Sequence, residues 1–355
     1  MNILFVWTGI TSYMPDCWRA LCRLENVCLK VIIETSRCPT QTAFHAAELL
    51  AGLDVTVCYD DEEIDREQWV EQMRSFRPDV MFLVGWHART PRYFATEKCW
   101  EQIPKILIFD LPFQWRIRKL LAPIVLHPYL NHFCWAFVPG RRAEQYARWL
   151  GFRKVQKGLF SIRFSETEPV LRTDGFLYVG RFSREKRLDV LVSAYRLYRE
   201  KIGRRVPHSQ PWPLTCCGKG EEESCLRNQE GVEILGFCSP DEVRALYVTK
   251  RALVLCSDFD PWPLVIFEAV SHGMPVICTS ACGDADELIH ENGIVCRPRN
   301  VKEIAEAMVT MHLNAEEWQR RGMAGRRLAE PYGCEAWALR VLSLSSEVMG
   351  TGTHS

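Results

Sequence analysis

The sequence predicts two doubly wound α/β domains in tandem. Three observations carry that reading. The chain has 355 residues, too many for one ordinary core and comfortable for two. Short apolar runs alternate with amphipathic segments, the pattern of a parallel sheet covered by helices on both faces. The alternation lapses once, into Ser, Glu, Pro, Thr and Asp over residues 164–175, and then restarts, which reads as an interdomain linker.

In the first half, strands are expected at 3–7, 28–33, 55–59, 80–84, 106–109 and 135–138, with amphipathic helices such as 65–76 and 141–150 among them. After the linker, strands are expected at 176–179, 214–217, 232–235, 252–255 and 275–278. The helices there fall at 188–198, 240–248, 264–271 and 301–311, with a surface loop at 203–213. The end of the chain is helical. Asn314 is placed to cap a helix that begins with Glu316 and Glu317, and a last helix over 334–348 follows the break around Pro331 and Gly333. The expected divisions are 1–165, 166–330 and a terminal piece, 331–355. In such domains a ligand belongs in the crevice at the carboxyl ends of the strands.

Composition narrows the class. Hydrophobic residues at 47% and charged residues at 25% describe a soluble globular protein. Lys+Arg and Asp+Glu both total 44, so nothing suggests a nucleic-acid partner. The 16 cysteines are scattered, with no CxxC pair, which fits neither a zinc site nor a small disulfide framework. They read as reduced core thiols in a cytoplasmic protein. The N-terminal MNILFVWTG lacks a basic n-region and reads as a buried strand, not a targeting segment. No apolar run spans a membrane; the nearest, 120–138, is broken by Pro123, His127, Pro128, Asn131 and His132.

The most informative stretch is SDFDPWPLVIFEAVSHGMPVICTSAC, residues 257–282. Asp260 lies in a loop after a strand and Glu268 two turns into the next helix. The backbone N–H groups of Leu264 and Val265 fall at that helix's N-terminus, a natural phosphate site. Two carboxylates flanking a diphosphate can grip hydroxyls on either side of it. The plain alternative is a capped helix with one exposed Glu.

This stretch resembles the D/E-x7-E signature of retaining GT-B glycosyltransferases, glycosyltransferase family four in particular. Asp260-Pro261-Trp262-Pro263 and Glu268-Ala269 stand where that family has E-P-W-G and E-A, and Gly273-Met274-Pro275-Val276-Ile277 matches its G-x-P-V-I strand. The resemblance implies that Glu268 holds the donor ribose and Asp260 the transferred sugar. Asp260 is one methylene shorter than the usual Glu, and Pro263 removes an N–H donor. Gly180-Arg181-Phe182-Ser183-Arg184-Glu185-Lys186 resembles the family's G-R-x-x-x-E-K-G, with Arg187 in place of the last Gly. There Arg181 and Lys186 would neutralise the leaving nucleotide, one with fixed bidentate geometry and one as a mobile charge. Gly218 in Gly218-Lys219-Gly220, and Phe237 in Leu235-Gly236-Phe237, match donor-site turns, and Gly283 and Glu287 match a loop below the diphosphate.

The first half matches in the order of its elements. Gly9 follows the first strand and would face donor phosphates. His87 follows the 80–84 strand, where relatives carry a functional His, with a plain loop or core histidine as the alternative; Asp110 is a further candidate. Residues 115–157 hold Arg116, Arg118, Lys119, Arg141, Arg142, Arg148, Arg153, Lys154 and Lys157 against one acid, Glu144, interleaved with Trp115, Phe133, Trp135, Tyr146 and Trp149. That mixture reads as an interfacial surface for an anionic membrane or as a basic face over core aromatics.

The resemblance therefore implies a GT-B fold, two Rossmann-like domains facing a central cleft, the last helix crossing back to the first domain. Its expected activity is transfer of a sugar from a nucleotide diphosphate, UDP by preference, to a saccharide or lipid-linked acceptor, with retention and without a metal. The expected place is the cytoplasm, at the inner face of the membrane. A nucleotide-sugar epimerase and a non-catalytic nucleotide-sugar-binding protein are the alternatives on this fold.

Overall fold

The computed structural model describes all residues except 12, 37–45, 114–116, 165–171 and 351–355. The chain divides into two compact units, Met1–Arg163 with Tyr332–Ser355, and Phe164–Pro331.

The first unit is built on seven parallel strands: β1 (Asn2–Thr8), β2 (Cys28–Thr35), β3 (Val55–Tyr59), β4 (Val80–Val84), β5 (Lys105–Ile108), β6 (Trp135–Val138) and β7 (Val155–Lys157). Their order is β3-β2-β1-β4-β5-β6-β7, doubly wound with its reversal between β1 and β4. Six helices interleave with the strands: α1 (Met14–Cys22), α2 (Ala46–Leu50), α3 (Arg66–Phe76), α4 (Arg89–Thr96), α5 (Ile117–Leu130) and α6 (Arg141–Trp149). The central strands are apolar end to end because both faces are covered: Ile3 to Val6 of β1 and Val80 to Leu83 of β4 are fully buried. Phe5 stacks on Phe82 at 4.5 Å between ring centroids.

The second unit repeats the plan with six parallel strands: β8 (Thr173–Val179), β9 (Leu214–Cys217), β10 (Val232–Gly236), β11 (Lys250–Leu255), β12 (Val276–Thr279) and β13 (Gly293–Cys296). Their order is β10-β9-β8-β11-β12-β13. The helices are α7 (Leu188–Arg205), α8 (Pro240–Thr249), α9 (Leu264–Ser271), α10 (Val301–Leu313) and α11 (Ala315–Gly325). The final helix, α12 (Cys334–Gly350), belongs to the first unit. Trp337 is fully buried there, lies 5.7 Å from Phe5 and donates its indole N–H to the Leu159 carbonyl at 2.6 Å.

Several expectations need correction. Edge strands β7 and β13, and helices α1, α2, α4 and α5, are not among the expected elements. β8 begins inside the polar 164–175 stretch, whose residues 165–171 lie outside the described set. Asn314 precedes α11 but does not cap it; its side-chain amide donates back to the Thr310 carbonyl at 3.0 Å. Helix α5 runs straight through Pro123 and Pro128. Pro123 has no N–H for the Lys119 carbonyl four residues earlier, and that carbonyl instead accepts the Trp149 indole N–H at 3.3 Å.

Among the described residues eight cysteines are buried: Cys17, Cys216, Cys217, Cys256, Cys278, Cys282, Cys296 and Cys334. None of the described cysteines is in a disulfide. Burial pushes the Cys216 thiol up to about 12 and the Cys256 thiol well above its ordinary value. Among the described residues no helix is long and apolar enough to cross a membrane.

Candidate active site

In each unit the sheet reverses direction beside its first strand, and the candidate residues cluster at the carboxyl ends of the strands there. In the second unit, β8 ends at Val179 and Gly180 opens the loop that carries Arg181 and Lys186. β11 ends just before Asp258 and Asp260. The two loops are tied together: the Asp258 N–H donates to the Glu185 carbonyl at 2.8 Å. Lys186 Nζ lies 2.5 Å from Asp260 Oδ2, an ion pair between residues 74 apart in sequence. Their side chains are only 14% and 10% exposed, so Lys186 is enclosed and not the partly exposed clamp the motif suggests. Arg181 is the exposed member at 80%, and Glu185 pairs with it at 3.5 Å.

Arg187, which stands where the resembling motif has Gly, has φ +55, in the left-handed region that glycine enters without penalty. Asp189 and Asp258 hold its guanidinium at 2.6 and 2.8 Å. Arg299, also left-handed at φ +61, reaches the same Asp258 oxygen at 2.6 Å. Burial works against the Asp258 charge, yet the bonds from Arg299 and Arg187 hold its carboxyl below the usual range.

Asp260 is pinned by its backbone. Its N–H donates to the Ala281 carbonyl at 3.2 Å and its carbonyl accepts from Gly283 at 2.7 Å. A Cβ on Gly283 would sit 2.1 Å from the Pro261 carbonyl, so this position requires glycine. Glu287 closes the short 3-10 turn Ala285–Glu287 that follows.

Pro263 starts α9 without a side-chain cap. Of the two N–H groups expected at this end, that of Leu264 is taken by the Trp262 carbonyl at 3.0 Å, which leaves Val265. Glu268 sits on α9, and its Oε2 accepts the Tyr247 hydroxyl at 2.7 Å. Burial raises the Glu268 pKa and the Tyr247 bond partly offsets it. Tyr247, from α8, is a partner of Glu268 that no motif marks, since a single aromatic on a helix has no signature. Arg172 fastens the same corner, donating to the carbonyls of Tyr247, Lys250 and His272 at 2.5, 2.7 and 2.6 Å.

Gly218 is held by packing between two loops. A Cβ there would lie 1.9 Å from the Gly180 carbonyl, and one on Gly220 would lie 2.3 Å from the Phe182 carbonyl. The glycines let two loops pack backbone to backbone, with Phe182 donating to the Lys219 carbonyl at 2.9 Å. Phe237, just after edge strand β10, is exposed.

In the first unit, Gly9, His87 and Asp110 follow β1, β4 and β5 and line one cavity of about 840 Å³. The Gly9 N–H is already given to the Glu34 carbonyl at 2.8 Å. The Glu34 carboxylate caps α4, accepting the N–H groups of Arg89 at 3.1 Å and Thr90 at 2.5 Å. His87 is exposed. Burial raises the Asp110 pKa, with Lys119 opposing. In the basic region, Trp115 and Arg116 lie outside the described residues. Phe133, Trp135 and Tyr146 are core, and the Lys119 ammonium lies over the Tyr146 ring at 4.3 Å. Among the described residues no group of three or more His, Cys, Asp or Glu is arranged to hold a metal ion.

Residues 164–328 match the family described as glycosyl transferases group 1. That match covers 165 of the chain's 355 residues, all within the second unit. The chain is 28% identical over 184 residues to a glycogen synthase of Mycobacterium tuberculosis, covering 49% of this chain and 42% of that protein. It thus spans less than half the length of the curated relatives it matches. The fold is GT-B. The lipopolysaccharide outer core galactosyltransferase WaaB superposes with a TM-score of 0.70 at 13% identity, covering 98% of this chain and 100% of that one. Anabaena Alr3699/HepE, solved in complex with UDP, superposes with a TM-score of 0.72 at 14% identity over 98% and 100% of the two chains.

Proposed function

We propose that this glycosyltransferase moves a sugar, with retention, from a UDP-sugar to a saccharide or lipid-linked saccharide at the cytoplasmic face of a membrane. The observation that carries the reading is the Lys186–Asp260 ion pair joining the loops after β8 and β11, with α9, which carries Val265 and Glu268, following directly in the chain. That set can hold a diphosphate between a cation and a helix N-terminus, with a carboxylate on each side. The UDP named with Alr3699/HepE and the lipopolysaccharide named with WaaB support the choice of donor and acceptor class.

In this reading Lys186 and Arg181 stabilise the charge that develops on the departing diphosphate. The anomeric carbon passes through an oxocarbenium-like transition state. The bond from the anomeric carbon to the diphosphate oxygen breaks as the acceptor hydroxyl bonds to that carbon on the same face and gives its proton to the departing diphosphate, so no protein nucleophile takes part, and Lys186 and Arg181 serve in place of a metal. Asp260 receives hydroxyls of the transferred sugar, and Glu268 those of the ribose through Oε1, since Oε2 is held by Tyr247. His87, Gly9 and Asp110 serve the cavity of the first unit.

The test is UDP release from a panel of UDP-sugars. Release that requires an acceptor supports transfer. Conversion of the sugar with no acceptor supports an epimerase, and no turnover with intact binding supports a binding protein. Calorimetry with UDP alone separates the carboxylates: Glu268→Ala weakens binding, whereas Asp260→Ala leaves it nearly unchanged and lowers transfer. The reverse pattern would overturn the assignment.

A further inference from the structure

We propose that helix α5 inserts into an anionic lipid surface through an exposed apolar ridge, an inference that rests on the membrane-face reading above and names its anchor. Ile117, Leu121, Ile124 and Val125 are 76%, 49%, 75% and 71% exposed. They recur at i, i+4, i+7 and i+8, which places them in a single stripe about 100° wide. The opposite side of the same helix, with Ala122, Tyr129 and Leu130, is buried in the unit's core. A helix that already buries one face has no folding reason to carry four large aliphatics on the other.

The surroundings indicate the occupant. Trp149, half exposed, docks against the first turn of α5 through its bond to the Lys119 carbonyl, which places an amphipathic ring beside the same helix. Arg118, Arg141, Arg148, Arg153, Lys154 and Lys157 are exposed on α5, α6 and the adjoining β7 region. The single acid of residues 117–157, Glu144, is engaged by Arg148 at 3.0 Å and Lys157 at 3.9 Å. A second copy docked on this face would bring like charges together, whereas a bilayer of anionic lipid answers both the ridge and its basic border. The two prolines inside α5 do not interrupt the stripe.

The experiment is flotation of the full chain with vesicles of phosphatidylcholine, and of phosphatidylcholine mixed with phosphatidylglycerol. The wild type floats with the mixed vesicles, far less with neutral ones, and less at high salt. The triple variant Ile117→Gln, Ile124→Gln, Val125→Gln keeps every charge and binds the mixed vesicles weaker by on the order of 100-fold. Arg118→Glu with Arg153→Glu loses the preference for phosphatidylglycerol. UDP binding measured in parallel is unchanged in both variants. Three results overturn the proposal: no flotation of the wild type on mixed vesicles, flotation of the triple variant equal to wild type, or a lipid-free dimer that the triple variant turns into monomer. Loss of vesicle binding with UDP binding retained removes only the membrane anchor. Absence of UDP binding in the wild type removes the donor reading and leaves the vesicle result standing.

Discussion

Removing Lys186 probes the site and the fold at once. The ammonium lies 2.5 Å from Asp260 Oδ2, and both side chains are largely enclosed. At an effective dielectric of about 20, the pair's attraction is about 7 kcal/mol, most of it offset by the cost of taking two ions out of water. Lys186→Ala removes the attraction but keeps the desolvated carboxylate. Breaking a fully buried pair costs about 3–5 kcal/mol, and the residual exposure here brings that to about 3 kcal/mol. For a unit spanning 164–331, this lowers the melting temperature by about 6–12 °C. Adding Asp260→Asn removes the stranded charge and recovers at least half of the loss, while turnover stays abolished in the double variant. Differential scanning calorimetry of the two variants, run beside a UDP-release assay, gives both readouts. A Lys186→Ala protein as stable as wild type, or one that Asp260→Asn does not rescue, would refute the reasoning from burial.

Arg181→Ala has the opposite profile, because its side chain is 80% exposed: unfolding is unchanged while turnover falls by on the order of 100-fold, the scale for one preorganised donor. Gly218→Ala forces a Cβ against the Gly180 carbonyl at φ +148 and separates the two loops. Denaturant unfolding is expected to show a loss above about 3 kcal/mol, and a wild-type midpoint would mean that the loops do not touch. Burial raises the Glu268 pKa above the ordinary 4.5, so the native state keeps this proton where the unfolded chain has lost it. The resulting stability is full below that value and is lost as pH rises through the native pKa; Glu268→Gln flattens the slope in a melting series across this window.

The central strands were legible because a strand buried on both faces is a continuous apolar run, and 80–84 and 135–138 coincide with β4 and β6, while 55–59 coincides with edge strand β3 through its Val and Tyr content. Edge strands β7 and β13 carry only three and four residues and are partly exposed, so neither alternation nor an unbroken run marks them. Helix α5 was hidden by its prolines, since the indole that takes up the orphaned Lys119 carbonyl is 30 residues away. Lys186 and Asp260 were each singled out by a motif, but neither motif pairs them, and the Tyr247–Glu268 bond had no local signature. The packing of Gly218 against the Gly180 carbonyl had no sequence signature, because the two loops are 38 residues apart. Phe133, Trp135 and Tyr146 looked interfacial only because charge and aromaticity alternate in sequence, which says nothing of depth.

The buried thiols have a consequence for how long the protein lasts. In the native state, burial keeps groups such as Cys216 and Cys256 protonated and unreactive. Once the chain opens, their pKa values return toward the ordinary thiol range, and the unfolded protein presents many nucleophilic sulfurs able to form mixed disulfides. Under air, then, each opening event carries a chance of no return. The half-life on storage follows the rate of unfolding rather than its equilibrium, and melting curves shift with scan rate unless a reductant is present.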